Sequence, residues 1–174
     1  MTTPILKAAV HIENDGWRAK NRDVVSTCQK AASSAWISGR KALRGDHPLF
    51  GVPDGPVEVS VVLSSDSVVH RLNLDHRGKD RPTNVLSFPG DLNGPAPGAE
   101  ILIGDVILGL ETIEHEAAES NKTLTDHMCH LVIHGVLHLL GYDHASENDA
   151  KEMERVEVDS MASLGLQDPY ETGS

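Results

Sequence analysis

Paired cysteine is what this sequence most plainly lacks. Its two cysteines, Cys28 and Cys129, stand far apart without C-x-x-C spacing. Each falls on an apolar helical pattern, which excludes a disulfide framework and reads as two buried thiols. The opening MTTPILKAAVHIEND has no basic stretch leading into an apolar one, and the longest apolar runs break well short of the roughly 18 residues that a membrane span requires. A reducing cytoplasm is the expected location. Positive charge is scarce as well: 26 Asp+Glu against 15 Lys+Arg leave a net charge of −11. That balance excludes a protein that grips nucleic acid by bulk electrostatics. No repeat, low-complexity tract or linker divides the chain, so residues 1–174 are expected to form one domain. Domains of about 150 residues bury about 68–70% of their unfolded surface, so neither disulfide nor structural metal is needed to hold this one together. Any metal has another reason to be there.

What is present is a mixed pattern of strands and helices. Residues 4–12 (PILKAAVHI) read as an opening strand, and from Asp23 to about Gly39 the residues Val24, Cys28, Ala31, Ala32, Ala35 and Trp36 share one helical face. Residues 40–56 mix charge, Gly and Pro without period and read as a surface loop. The alternation of Val57, Val59, Val61 and Leu63 predicts a half-buried strand over 57–65. Ser65 or Asp66 then caps a helix that carries Val68, Val69, Leu72 and Leu74 and ends near His76-Arg77-Gly78. Residues 84–89 and 100–109 are two further strands, and Gly104 marks a bulge or a close backbone approach in the second. Helices follow from Leu110 to about Ser120, from Thr123 to Leu140 and from Ser146 to Gly165, the latter two opened by Thr123-x-x-Asp126 and Ser146-x-x-Asp149. The Glu-rich polar face of the last helix reads as solvated. The order favours an α+β fold, a mixed β-sheet of about four strands with helices packed against it, over a doubly wound parallel one.

Histidine is the unusual component: ten in all, with His127, His130, His134 and His138 within one helical segment. His134 and His138 differ by about 400° around the helix, so both imidazoles emerge on one face. Gly141 stops the helix, and the turn Tyr142-Asp143 brings His144 back toward that face. Three neutral imidazoles in the pattern H-x3-H-x5-H suit one Zn²⁺ and leave a fourth position for water, the arrangement of a catalytic rather than a structural site. Asp143 or Asp105 is a candidate to orient a ligand ring, and His130 to orient a ligand or contact substrate. In the metalloprotease motif H-E-x-x-H the residue after the first histidine is the general base. Here it is Gly135, read as making room for a bulky substrate, so zinc-activated water is the expected nucleophile.

A second cluster lies in RGKDRPTNVLS (77–87), where Arg77, Lys79 and Arg81 sit beside Thr83, Asn84 and Ser87 in an otherwise acidic chain. Three basic residues on a polar loop are by themselves only a solvated loop. Beside an open metal site they suit phosphate, with the planar fork of Arg77 stabilising charge that develops on a scissile phosphodiester.

HGVLHLLGYDH (134–144) and RGKDRPTNVLSFP (77–89) together resemble the two hallmark motifs of the YbeY endoribonucleases of bacterial rRNA maturation. GDVIL (104–108) and LGLQDPY (164–170) resemble weaker segments of that family, and the similarity runs from about residue 57 to 170. The resemblance implies a single-strand-specific, metal-dependent endoribonuclease that matures the 3′ end of small-subunit 16S rRNA and takes part in ribosome quality control. It implies His134, His138 and His144 as zinc ligands, and Arg77 and His130 as catalytic positions in the active cleft. Its partners would be an rRNA precursor and the ribosome, including a small-subunit ribosomal protein. Gly109 departs from the family, which often carries a polar residue there, and the 40–56 loop is longer than the family pattern, with Arg40, Lys41 and Arg44 either solvated or facing rRNA. Two other readings stay open. One is a zinc peptidase or amidase of metzincin-like geometry, against which Gly135 argues, and the other is a non-catalytic metal-containing protein of ribosome assembly.

Overall fold

A computed structural model describes residues 5–43, 45–47, 56–92, 96 and 98–171. Four strands form one sheet in the order β1-β2-β4-β3, with β1 (Leu6–Ile12), β2 (Val57–Ser64) and β4 (Ile101–Gly109) parallel and β3 (Val85–Pro89) antiparallel to β4 at the edge. This is the mixed four-stranded sheet that the sequence pattern predicts. The helices are α1 (Gly16–Lys20), α2 (Val24–Lys41), α3 (Asp66–Arg77), α4 (Leu110–Glu119), α5 (Leu124–Leu139) and α6 (Glu147–Ser163).

The period-2 set Val57, Val59, Val61 and Leu63 is fully buried, together with Ile103, Val106 and Leu108 of β4. These side chains pack against α2 and α5, whose own core residues include Cys28, Ala31, Ala35, Trp36, Val132, Ile133, Val136 and Leu137. The other face of the sheet is covered more thinly, by a small cluster of Val69, Leu86 and Ile107 with Val62, Leu72 and Phe88 packed around it. Both thiols are buried and free. Burial chiefly, with the Cys129 thiol beside Cys28 and the Asp126 carboxylate near Cys129, pushes both up to about 12, so neither supplies a thiolate.

Two local expectations need correction, and one short helix adds to them. Helix α2 continues through Arg40 and Lys41, so the loop expected from residue 40 begins later; Arg40 lies 4.8 Å above the Trp36 ring. Arg44 lies outside the described residues. The short helix α1 carries no periodic signal, yet it buries Trp17, whose indole N–H donates to the Ser64 carbonyl at 2.9 Å. Ser65 takes the N-cap position of α3 without a capping bond, Leu74 of that helix is exposed, and Asp66 instead accepts from the Thr112 N–H at 3.0 Å and the Thr112 hydroxyl at 2.7 Å at the start of α4.

Close approach of backbone fixes how the helices meet the sheet. The register of β2 against β4 shifts between Glu58 and Val59, and there Gly104 adopts φ +147°. A Cβ at Gly104 would lie 2.3 Å from the Phe88 carbonyl oxygen and 2.7 Å from Leu139 Cδ2. A Cβ at Gly135 would lie 2.6 Å from Val106 Cγ1 and 3.1 Å from Ser87 Oγ. Gly135 therefore serves the packing of α5 onto β3 and β4; it does not open room for substrate as the sequence suggests. Ser87 Oγ closes this seam by donating to the Gly135 carbonyl at 3.0 Å.

Gly104→Ala is expected to cost about 3 kcal/mol through strain and overpacking together. It should appear as a lower urea midpoint at unchanged m-value, and an unchanged midpoint would refute the packing account.

Candidate metal centre

Helix α5 opens with Thr123 Oγ1 accepting from the Asp126 N–H at 3.0 Å, the predicted cap. It closes on a Schellman turn: the Gly141 N–H donates to the His138 carbonyl and the Tyr142 N–H to the Leu137 carbonyl, each at 3.0 Å, with Gly141 at φ +93°. That left-handed residue is what a helix needs to reverse here. The reversal has two chemical results. It presents the Tyr142 carbonyl to His138 Nδ1 at 3.0 Å, and it returns His144 to the open face of the helix. The Tyr142 hydroxyl pins the turn to α2 by donating to the Gly39 carbonyl at 2.7 Å.

His134, His138 and His144 come together, and one ring nitrogen from each lies within 4.8 Å of the others. The hydrogen bonds fix which nitrogens these are. A carbonyl oxygen only accepts, so His138 carries its proton on Nδ1 and leaves Nε2 bare in the neutral ring. Nδ1 of His134 faces Glu157 Oε1. Burial alone would raise the Glu157 carboxyl, but His130, His134 and Tyr170 around it outweigh that and hold it at about 2. Glu157 is thus an ionised acceptor, and His134 also carries its proton on Nδ1. The two Nε2 atoms then face each other at 3.0 Å with lone pairs converging. Two lone pairs at that distance repel unless a cation lies between them. For tetrahedral coordination at about 2.05 Å, adjacent ligand nitrogens stand about 3.3 Å apart, so the spacing of this pair fits two ligands of one ion, with His144 close enough to complete the set by a small movement of its exposed ring. Burial, and then the nearness of His134, lowers the His138 pKa, which keeps that ring available as a neutral donor.

His144 is the most exposed of the three, and its own backbone N–H donates to Asp143 Oδ1 at 2.8 Å. Asp143 Oδ1 stands 3.9 Å from His144 Nδ1, beyond hydrogen-bond length. Asp105 shares the opposite sheet face with Ile107, since strand alternation sets both against Val106 and Leu108. The groups that orient the first two ligands are therefore Glu157 and the Tyr142 carbonyl, not the two aspartates named from the sequence.

The cleft in front of the histidines has a volume of about 590 Å³. Arg77 lines it, with Thr83, Asn84 and Ser87 of the basic segment. Arg77 is the last residue of α3; its Nη2 donates to the Ser87 carbonyl at 3.2 Å while the guanidinium lies 6.0 Å over the Phe88 ring. Lys79 and Arg81 are exposed and are not among the residues lining the cleft. His130 also stands apart from it. That ring lines a separate pocket of about 440 Å³ with His127 and Lys122, and its Nε2 is 3.6 Å from Glu157 Oε2, behind His134.

Glu157 is the functional residue that sequence reasoning missed. The Glu-rich face of the last helix masks it, yet its position is readable: the buried set Met153, Val156, Glu157, Ser160 and Met161 follows the i, i+3, i+4, i+7, i+8 spacing of a core face. A carboxylate inside that stripe is the signal.

A family model described as Endoribonuclease YbeY matches residues 20–165. The chain is 46% identical over 171 residues to the Endoribonuclease YbeY of Paramagnetospirillum magneticum, covering 97% of this chain and 98% of that protein. It is 42% identical over 168 residues to the Endoribonuclease YbeY of Rhizobium etli, covering 95% and 94%. The solution structure of a Thermotoga maritima protein superposes with a TM-score of 0.51 at 24% identity, over 95% of this chain and 99% of that one, which bears on the fold alone.

Long-range proton–nitrogen spectra of the zinc-loaded protein should show His134 and His138 both as Nδ1–H tautomers with Nε2 bound. An Nε2–H tautomer on either ring would contradict the convergence of the two lone pairs.

Proposed function

The chain belongs to the YbeY endoribonuclease family, and from that premise and the geometry of the cleft we propose a single-strand-specific endoribonuclease that hydrolyses rRNA phosphodiesters with one Zn²⁺ held by His134, His138 and His144. Its proposed task is maturation of the 16S rRNA 3′ end, with a part in ribosome quality control. The observation that carries the reading is the facing pair of Nε2 atoms at 3.0 Å in the same cleft as Arg77.

When bound, Zn²⁺ would act as a Lewis acid and make a nucleophile available from water near neutral pH. The chain's own residues supply the rest. Arg77 stands at the cleft wall with a planar donor fork, and one of its N–H groups is already committed to the Ser87 carbonyl, which fixes the direction of the others. That pre-set fork suits the extra negative charge a phosphodiester gathers on the way to cleavage. Thr83 lines the same wall, where the Asn84 amide and the Ser87 hydroxyl are already committed within the protein and shape the cleft instead of donating to the strand. Asn84 is itself held by two contacts to Glu116, at 3.2 and 3.1 Å, so its loop is anchored to α4. His130 acts from behind the metal ligands, facing Glu157, and we assign it a positioning role in catalysis.

The proposed setting is cytoplasmic, on an rRNA precursor within the ribosome and beside a small-subunit ribosomal protein. A net charge of −11 opposes capture of free RNA, so the particle must deliver the strand to the cleft. The peptidase alternative is disfavoured by Gly135, which lies against Val106 and brings no carboxylate to the metal.

His138→Ala is expected to abolish both stoichiometric zinc, read by elemental analysis, and cleavage of an rRNA precursor; a variant that keeps both would end the assignment. Arg77→Ala should retain zinc and lose about 10²–10³-fold in cleavage rate, the usual scale for removing one donor to developing charge. Binding of single-stranded RNA should weaken with salt along a shallow log–log slope of about −2, and a slope that implied six or more phosphate contacts would contradict delivery by the particle.

A further inference from the structure

Behind His134, on the side away from the cleft, lies a chain of contacts that the proposed cleavage does not use directly. Glu157 is wholly buried on α6, and its carboxylate meets His134 Nδ1 with one oxygen and the Tyr170 hydroxyl with the other. His130 Nε2 adds the third neighbour at 3.6 Å. None of these partners is a permanent cation, so the buried carboxylate is held by hydrogen bonds and by the imidazoles around it. A divalent ion on the far nitrogen of His134 would add positive charge through the ring, and the carboxylate in turn would fix the tautomer and raise the basicity of the ligand.

Tyr170 comes from the segment after α6, and that segment is itself tied down. Leu166 N–H donates to the Met161 carbonyl at 3.0 Å across the left-handed Gly165. Lys122 Nζ donates to the Pro169 carbonyl at 2.5 Å, and the Tyr170 N–H to Asp168 Oδ1 at 2.8 Å. The His130 ring meets the Tyr170 ring edge-on with centroids 5.5 Å apart. The hydroxyl is therefore delivered to Glu157 by a built turn and not by chance of a loose tail.

We infer that Glu157 and Tyr170 are positioning residues for the metal ligand His134, and that through them the segment 164–171 is part of the metal centre. The inference rests on the reading of the three histidines as a zinc site. It makes zinc affinity, and not only fold stability, depend on a carboxylate and a phenol that never touch the ion.

The test is a Zn²⁺ titration of the full chain in competition with a chromophoric chelator, with the thermal midpoint of the metal-free protein measured alongside. Glu157→Gln keeps an oxygen to accept from His134 Nδ1 and removes the charge; its zinc dissociation constant is expected to rise about 10–100-fold. Its metal-free form is expected to melt lower than wild type, because His130, His134 and Tyr170 favour the ionised carboxylate even without metal, so the zinc constant and not the midpoint reads the relay. Tyr170→Phe, at a residue 44% exposed whose ring packing the change preserves, should raise the constant several-fold in the same direction. A Glu157→Gln protein that melts lower but binds zinc as tightly as wild type would reduce the relay to a structural contact and overturn the inference. If Glu157→Gln does not fold, an unchanged constant for Tyr170→Phe overturns it equally. Failure of wild type to take up one zinc would overturn the metal reading along with the relay, which separates the two failures.

Discussion

Everything at this site depends on one constraint: two imidazole nitrogens are held face to face with their protons turned away. His134 and His138 are ordinary i, i+4 neighbours on a helix, and such neighbours usually settle as a donor and an acceptor. Here each ring is committed on its Nδ1 side, one to Glu157 and one to the Tyr142 carbonyl, so neither can donate to the other. A cation resolves that conflict. Both partners on the far side, a carbonyl and an ionised carboxylate, can only accept, which leaves the rings no other arrangement of protons.

The fold supplies that constraint from four elements. Helix α5 carries two of the rings, and it sits at its depth because Gly135 lets it close onto Val106 and Ser87. The Schellman turn at Gly141 provides both the carbonyl for His138 and the return path for His144. Helix α6 brings Glu157 against the back of His134. Strand β3, tied to α5 through the Ser87 hydroxyl, gives Arg77 a carbonyl anchor across the cleft. Gly104 and its bulge sit where β3, β4 and α5 converge, so backbone geometry there bears on the opening of the cleft as well as on stability.

Residue spacing makes the ligand helix, its cap and its stop legible, because i, i+4 geometry and left-handed glycine are local rules. The valine alternation of β2 and the apolar face of α2 are legible for the same reason. What escapes is set by contacts between segments distant in the chain. Trp17 belongs to a helix of five residues, too short to show a period, and its burial depends on a carbonyl of β2. Gly135 reads from sequence as an opening beside the metal, since nothing local says that its Cβ direction points at Val106 of β4. Asp105 and Asp143 are natural nominees for orienting a ligand, whereas Glu157 is 23 residues from the ring it orients. The buried stripe of α6 reveals it once one asks which charged residue interrupts a core face.

The acidity of the chain and its proposed phosphate chemistry are reconciled by where charge is neutral. Histidine ligands bring no charge of their own, so a divalent ion held by three of them keeps its full charge toward the cleft, unlike one held by carboxylates. Arg77 adds a fixed positive group to the same wall, and Glu157, the carboxylate in contact with the His134 ring, lies behind that ring and wholly out of solvent. With an ion bound, that wall would attract a phosphodiester despite the exposed Asp143 that also lines the cleft, while the chain as a whole, at a net −11, repels one. On the proposed reading, such a distribution would favour strands that reach the cleft while held by something else over strands that drift along the surface.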